Sequence, residues 1–199
     1  MENFTLKPNS KTDVITYMEN NHLVQYEKHL LIEVLEAIDA ADQVRLSWFS
    51  SFGKSLRHLT MNVHAYRKGL EFGFTAIAFD AYGWFKRPQF LDCEDIVLGN
   101  PDLFMEHSMV RLGRGPNHIW TYALNYSYGL AGGGSQISVY NPQHTSRQEA
   151  LMAGLADLKV RMTAVIGHTD TINYKQPVIL STLAEIQKVQ RHTVQLALF

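Results

Sequence analysis

His58 and His64 fall on one side of an alternating run at 58–65, and Cys93 stands between Asp92 and the pair Glu94 and Asp95. Histidine, thiolate and carboxylate are the groups that hold metals or move protons. Their spacing here supplies no ready set, because the chain has no Cys-x-x-Cys, His-Glu-x-x-His or Gly-x-Ser-x-Gly. Carboxylates around Cys93 would raise its pKa and disfavour a nucleophile. No catalytic residue, metal ligand or cofactor is therefore assigned. The run Gly-Leu-Ala-Gly-Gly-Gly at 129–134 would let backbone amides approach a phosphate closely. A phosphate loop, however, joins a strand to a helix and carries a lysine or a fixed glycine pattern, whereas this one separates two expected strands and has no lysine.

A third chemistry is stacking. Trp120, Tyr122, Leu124, Tyr126 and Tyr128 alternate with Thr121, Ala123, Asn125 and Ser127, and no Asp, Glu, Lys or Arg occurs from Gly115 to Ser146. Something keeps water from that stretch. Either the aromatic side is core, since such rings deliver large apolar area, or it stacks exposed bases, with Arg111, Arg114 and Arg147 at its margins meeting phosphates. A partner protein would use the same residues.

The elements that must position these groups follow from periodicity. The period of two over 119–128 predicts a strand, the glycines predict a turn, and 135–140 resumes with aromatic and β-branched residues suited to a second strand of a hairpin. Thr145 with Gln148, or Ser146 with Glu149, has capping-box spacing and predicts a helix over 145–166, whose Leu151, Leu155, Leu158 and Met162 would lie on the aromatic side of the hairpin. Upstream, a short helix is expected near 12–20 and a longer one over 23–41, where Leu31, Val34, Leu35 and Ile38 form one stripe. Residues 44–52 alternate loosely as a strand. Leu59, Met61, Val63 and Ala65 read as another, closed by Arg67-Lys68-Gly69 onto a second arm at 70–79. The acidic residues 92–95 begin a connection, 104–112 pairs with 119–128, and a last helix opens at Thr182 and Glu185 and runs to about His192.

The architecture so predicted is α+β, with a central antiparallel sheet of five or six strands and N-terminal and C-terminal helices packed on it. A chain of 199 residues with 46% hydrophobic content suits a single domain over 1–194. The net charge of −1 gives no global attraction to nucleic acid or to an acidic membrane. One cysteine, no signal-peptide pattern and no apolar run of about 20 residues point to the cytoplasm, with no membrane partner.

Three short stretches resemble known families. Gly167-His168-Thr169-Asp170 resembles the Gly-His-x-Asp segment of zinc-dependent amidohydrolases and peptidases of the aminoacylase type, where the His and Asp are metal ligands. The remaining ligands of that family would need more chain than follows, so no metal site is expected. The strand, strand, helix order is similar to the small DNA-binding modules of phage integrases, which place basic side chains on the strands where this chain has none. Gln195-Leu196-Ala197-Leu198-Phe199 resembles the pentapeptide Gln-Leu-(Ser or Asp)-Leu-Phe with which many bacterial replication and repair proteins dock onto the sliding clamp.

That last resemblance implies a partner. Leu198 and Phe199 would fill the clamp's apolar pocket, Leu196 would pack at its rim and Gln195 would hydrogen-bond beside it, while Ala197 departs from the usual Ser or Asp. Burying two leucines and a phenylalanine contributes several kcal/mol, against the ~8 kcal/mol of a micromolar complex. The competing expectation is that Val194, Leu196 and Leu198 close the last helix against the core. The leading reading is a non-enzymatic accessory protein of bacterial, phage or mobile-element origin, with 195–199 as a clamp-binding tail and a body that contacts DNA or another protein. An enzyme acting on nucleotides or nucleic acid through a spatially assembled His and carboxylate site is the alternative, and an inhibitor of a host defence complex is the third.

Overall fold

The structure, a computed structural model, describes residues 5–7, 10–103 and 105–196, with side chains in the last helix as far as His192. The chain divides into two compact units, residues 1–88 and 89–199. Where a single core is expected from composition, the buried apolar residues gather in two clusters, one in each unit.

The first unit is helical: α1 (Lys11–Asn20), α2 (Gln25–Asp39), α3 (Gln43–Ser50) and α4 (Leu56–Glu71). Three of these starts are fixed by side chains that satisfy orphan amides. The Glu27 carboxylate reaches back to the Val24 amide, Asp42 accepts from the Arg45 amide and Ser55 from the His58 amide. The core draws on Leu31 and Val34 from α2, Leu46 and Phe49 from α3, and Leu59 and Val63 from α4.

Here the expected strands at 44–52 and 58–65 are corrected to helices. In α3 the buried pair is Leu46 and Phe49, while Val44 is 81% exposed. In α4 the buried face is Leu56, Leu59, Thr60 and Val63, a helical spacing that the alternating 59, 61, 63, 65 also satisfies in part. The Ser55 cap settles the choice, and Arg67, Lys68 and Gly69 lie inside the helix rather than in a turn. Residues 74–90 carry no strand, only a bridge between Phe79 and Phe85.

The second unit is a four-stranded antiparallel sheet in the order β1 (Leu91–Gly99), β2 (His107–Arg114), β3 (Trp120–Ser127) and β4 (Gly132–Gly134), with α5 (Arg147–Thr163) and α6 (Gln176–Leu196). The mixed helix and sheet class is as expected, with four strands among the described residues instead of five or six. β2 and β3 pair as predicted, with Val110 opposite Leu124 and Leu112 opposite Tyr122.

Two further expectations change. The acidic stretch 92–95 lies in β1 rather than in a connection, because Asp95 sits opposite Arg111 in register, a favourable cross-strand pair. The partner of β3 is β4, not 135–140. Instead the 135–142 segment brings Ile137 close to Gly113, buries Val139 and lets Pro142 accept from the Thr121 hydroxyl. α5 opens at Ser146, whose hydroxyl accepts from the Glu149 amide, while the Glu149 carboxylate takes the Thr145 amide and hydroxyl. α6 begins six residues before Thr182. Pro177 suits the first turn because no helical partner exists there for its missing N–H.

The second core joins Leu98, Val110, Leu112 and Leu124 of the sheet to Leu155, Leu158 and Met162 of α5 and Ile179 and Ile186 of α6. Gly154 sets the closeness of α5 to the sheet, since a Cβ there would lie 2.6 Å from Val110 Cγ1 and 3.2 Å from Tyr122 Cδ2.

Candidate functional site

Alternation along β3 sends Trp120, Tyr122, Leu124 and Tyr126 to the face shared with Val110 and Leu112, the face that α5 covers. Trp120, Tyr122, Tyr126 and Tyr128 are each half-buried against that core. A polar rim meets them. The Arg161 guanidinium lies 5.0 Å from the Tyr126 ring centroid and its Nε donates to Asp157 at 3.0 Å. Tyr128 stands 5.3 Å from Tyr126 and stacks at 5.4 Å on Tyr174, which in turn stacks at 4.0 Å on His168.

Burial pushes the Tyr122 phenol up, assisted by the nearby Asp157 carboxylate, and raises Tyr128, assisted by Tyr126. Both therefore remain neutral hydrogen-bonding groups around neutrality. Asp157 and Arg161 were not singled out in the sequence. Their i, i+4 spacing was the available signal.

The three arginines proposed as phosphate contacts each meet a carboxylate of β1. Arg111 Nε and Nη2 donate to Asp95 at 2.6 and 2.7 Å, and this pairing holds the Asp95 carboxyl below its usual range. Arg114 Nε donates to Asp92 at 2.6 Å, and its Nη1 lies 2.8 Å from His118 Nδ1. Arg147 clasps Glu94 with both Nε and Nη2, the latter at 2.9 Å, tying the start of α5 to β1 across 53 residues. Alternation puts Arg111 on the sheet face opposite to the tyrosines. A phosphate at any of these arginines would have to compete with a carboxylate already in place.

The remaining candidates serve local structure. His58 packs edge-on to Trp84 at 4.2 Å, and His64 stacks on Tyr26 at 3.8 Å. The Asp170 carboxylate accepts from the amides of Ile172 and Asn173 and from Asn173 Nδ2, an Asx turn that occupies the acid of the Gly-His-x-Asp segment. The Cys93 thiol is pushed up as expected, but burial is the main cause, ahead of Asp95 and Asp92 and against the lowering effect of Arg111. Among the described residues no three of His, Cys, Asp and Glu converge so as to hold a metal ion.

Gly129–134 forms a turn and β4, and in β4 the glycines are needed for close approach: a Cβ on Gly134 would fall 1.7 Å from Asn125 Oδ1. Gln195 and Leu196 belong to the last turn of α6, and Leu198 and Phe199 lie outside the described residues. No described helix is long and apolar enough to cross a membrane.

Comparison with protein-family models, with curated proteins and with solved structures finds no match to the chain.

Proposed function

We propose that this chain is a non-enzymatic accessory protein of bacterial, phage or mobile-element origin that docks on the replication sliding clamp through Gln195, Leu196, Leu198 and Phe199. Its body then contacts DNA or a second protein. The observation that carries the reading is the pentapeptide at 195–199, which supplies two leucines, a phenylalanine and an amide in the order that clamp-docking peptides use.

Along the described part of α6, Ile179, Thr182 and Ile186 are buried, Val189 and Gln190 are half-buried, and Arg191 and His192 are exposed. Short peptides of this kind dock by laying apolar side chains into a preformed groove.

The test is a pull-down of purified bacterial clamp by the full chain and by a Leu198→Ala, Phe199→Ala variant. Retention by the parent and loss by the variant is the expected result. Equal retention by both removes the tail from the interaction, and no retention by either removes the clamp.

A further inference from the structure

In the first unit an exposed aromatic residue is held on a turn that is fixed from two sides. Tyr82 is 80% exposed at the tip of the turn, within a stretch, residues 75–82, that is exposed throughout. From below, Asp80 accepts from the Tyr82 amide at 2.8 Å and from the Trp84 amide at 3.0 Å, and the Asp80 amide donates to the Trp84 carbonyl at 2.8 Å. Gly83 supplies the positive φ of 89° that the reversal needs. From behind, Asn62 of α4, only 2% exposed, donates to the carbonyls of Gly83 and Phe52 at 2.8 and 2.6 Å and accepts from the Phe85 amide at 2.9 Å. A buried amide with its bonds turned toward an exposed loop fixes that loop far more firmly than solvent contact alone would.

The charge of the turn and its flanks is mostly positive, with Asp80 as the one carboxylate between residues 75 and 90. Lys54, Lys86 and Arg87 are exposed and, among the described residues, belong to no ion pair. Of the other lysines and arginines ten do pair, Arg111, Arg114 and Arg147 among them, and Lys7, Lys28, Arg57, Lys159 and Arg191 are in no ion pair among the described residues, so what sets the turn apart is an exposed ring beside such cations. Lys54 also lines, with Gly53, Phe79, Asp80, Ala81 and Gly83, a concavity of about 250 Å³ beside the start of α4, where it is the one cation and Asp80, whose carboxylate holds the turn's amides, the one anion. The first turn of that helix carries no acidic residue, so its positive end adds to the field there.

We propose that this turn is a single-stranded nucleic-acid contact, with a base stacking on Tyr82 and phosphates meeting Lys54, Lys86 and Arg87. An exposed ring on a turn whose backbone is fixed, flanked by cations that belong to no ion pair, is what a sequence-tolerant single-strand site requires. From the proposed function it takes only the expectation that the body meets DNA, and it transfers that contact from the aromatic face of the second unit to this turn.

The experiment is fluorescence anisotropy of the full chain with labelled oligo-dT and oligo-rU over a salt series. The parent binds at least one of the two, Tyr82→Ala weakens it roughly tenfold, and a Lys54→Ala, Lys86→Ala, Arg87→Ala variant weakens it with a salt slope shallower by about 2. No binding by the parent, or equal binding by the variants, overturns the assignment. So does a Tyr82→Ala chain that loses clamp retention while the parent lacks affinity for either oligonucleotide, since the turn would then serve protein docking. The Leu198→Ala, Phe199→Ala variant keeps oligonucleotide binding, so failure of the clamp reading and failure of this one are separable.

Discussion

Asn62 shows most directly how one side chain couples packing to an exposed feature. Its amide is buried among Leu59 and Val63 and uses both donor and acceptor on main-chain groups of Phe52, Gly83 and Phe85. Replacing it with Ala leaves the buried Phe52 carbonyl and the half-buried Gly83 carbonyl and Phe85 amide without this partner, a loss that costs about 3 kcal/mol. Asn62→Ala should therefore lower the urea midpoint markedly and, by releasing the turn at Tyr82, speed amide exchange at Trp84 and Phe85. An unchanged midpoint would show that water takes over the bonds. Nothing in the letters marks this residue. Asn62 stands in an alternating run whose polar positions suit the solvent face of a strand as well as they suit one turn of a helix.

Among the elements, α5 is the one that brings the second unit together. Its Leu151, Leu155, Leu158 and Met162 stripe packs on the tyrosine face as the periodicity predicts, and its first residue, Arg147, clasps Glu94 of β1. Gly154 allows the close approach. Gly154→Ala gains about 1 kcal/mol of helix propensity but must displace Val110, an overpacking that costs about 1–3 kcal/mol. The net expectation is a modest fall in thermal midpoint with unchanged circular dichroism. A rise would mean that Val110 and Tyr122 yield freely. The helices capped by Asp42, Ser55 and Ser146 and the β2–β3 pairing were open to reading from sequence in principle, because each rests on neighbours in the chain. β1 was not, since its carboxylates become strand residues only when Arg111 arrives beside them from 16 positions away.

At the scale of the whole molecule, the carboxylates set the acid limit. Glu33 is held below its ordinary 4.5, chiefly by the hydrogen bonds from Arg67, and Asp95 below 3.8, chiefly by those from Arg111. In each case the folded chain holds the proton more weakly than the unfolded one, so the stabilisation is full above the ordinary value and is lost as pH falls through the folded value. Burial lowers His64 below 6.5, so the unfolded chain protonates it first and stability begins to decline near that pH. Urea midpoints should thus fall in two stages on acidification, a small one below about pH 6.5 and a larger one below about pH 4.5. Arg67→Met should lower the midpoint at pH 7 and make the acid stage shallower in the first unit. An unchanged acid stage would mean that the Glu33 pairing contributes nothing.

The sequence by itself determined the α+β class, a short helix at α1, the amphipathic helices α2 and α5, the β2–β3 pairing and the run of aromatic residues beside α5. Each is written in periods of two or 3.6 residues or in a cap one turn away, and those signals are local. Only the tertiary structure decided that residues 44–52 and 58–65 are helical, that β4 rather than 135–140 completes the sheet and that the buried residues form two clusters. It also decided that Arg111, Arg114 and Arg147 are paired while Lys54, Lys86 and Arg87 belong to no ion pair among the described residues. These outcomes depend on which side chain meets which across many residues of chain, and the free energy that selects them resides in contacts between segments rather than within any one of them.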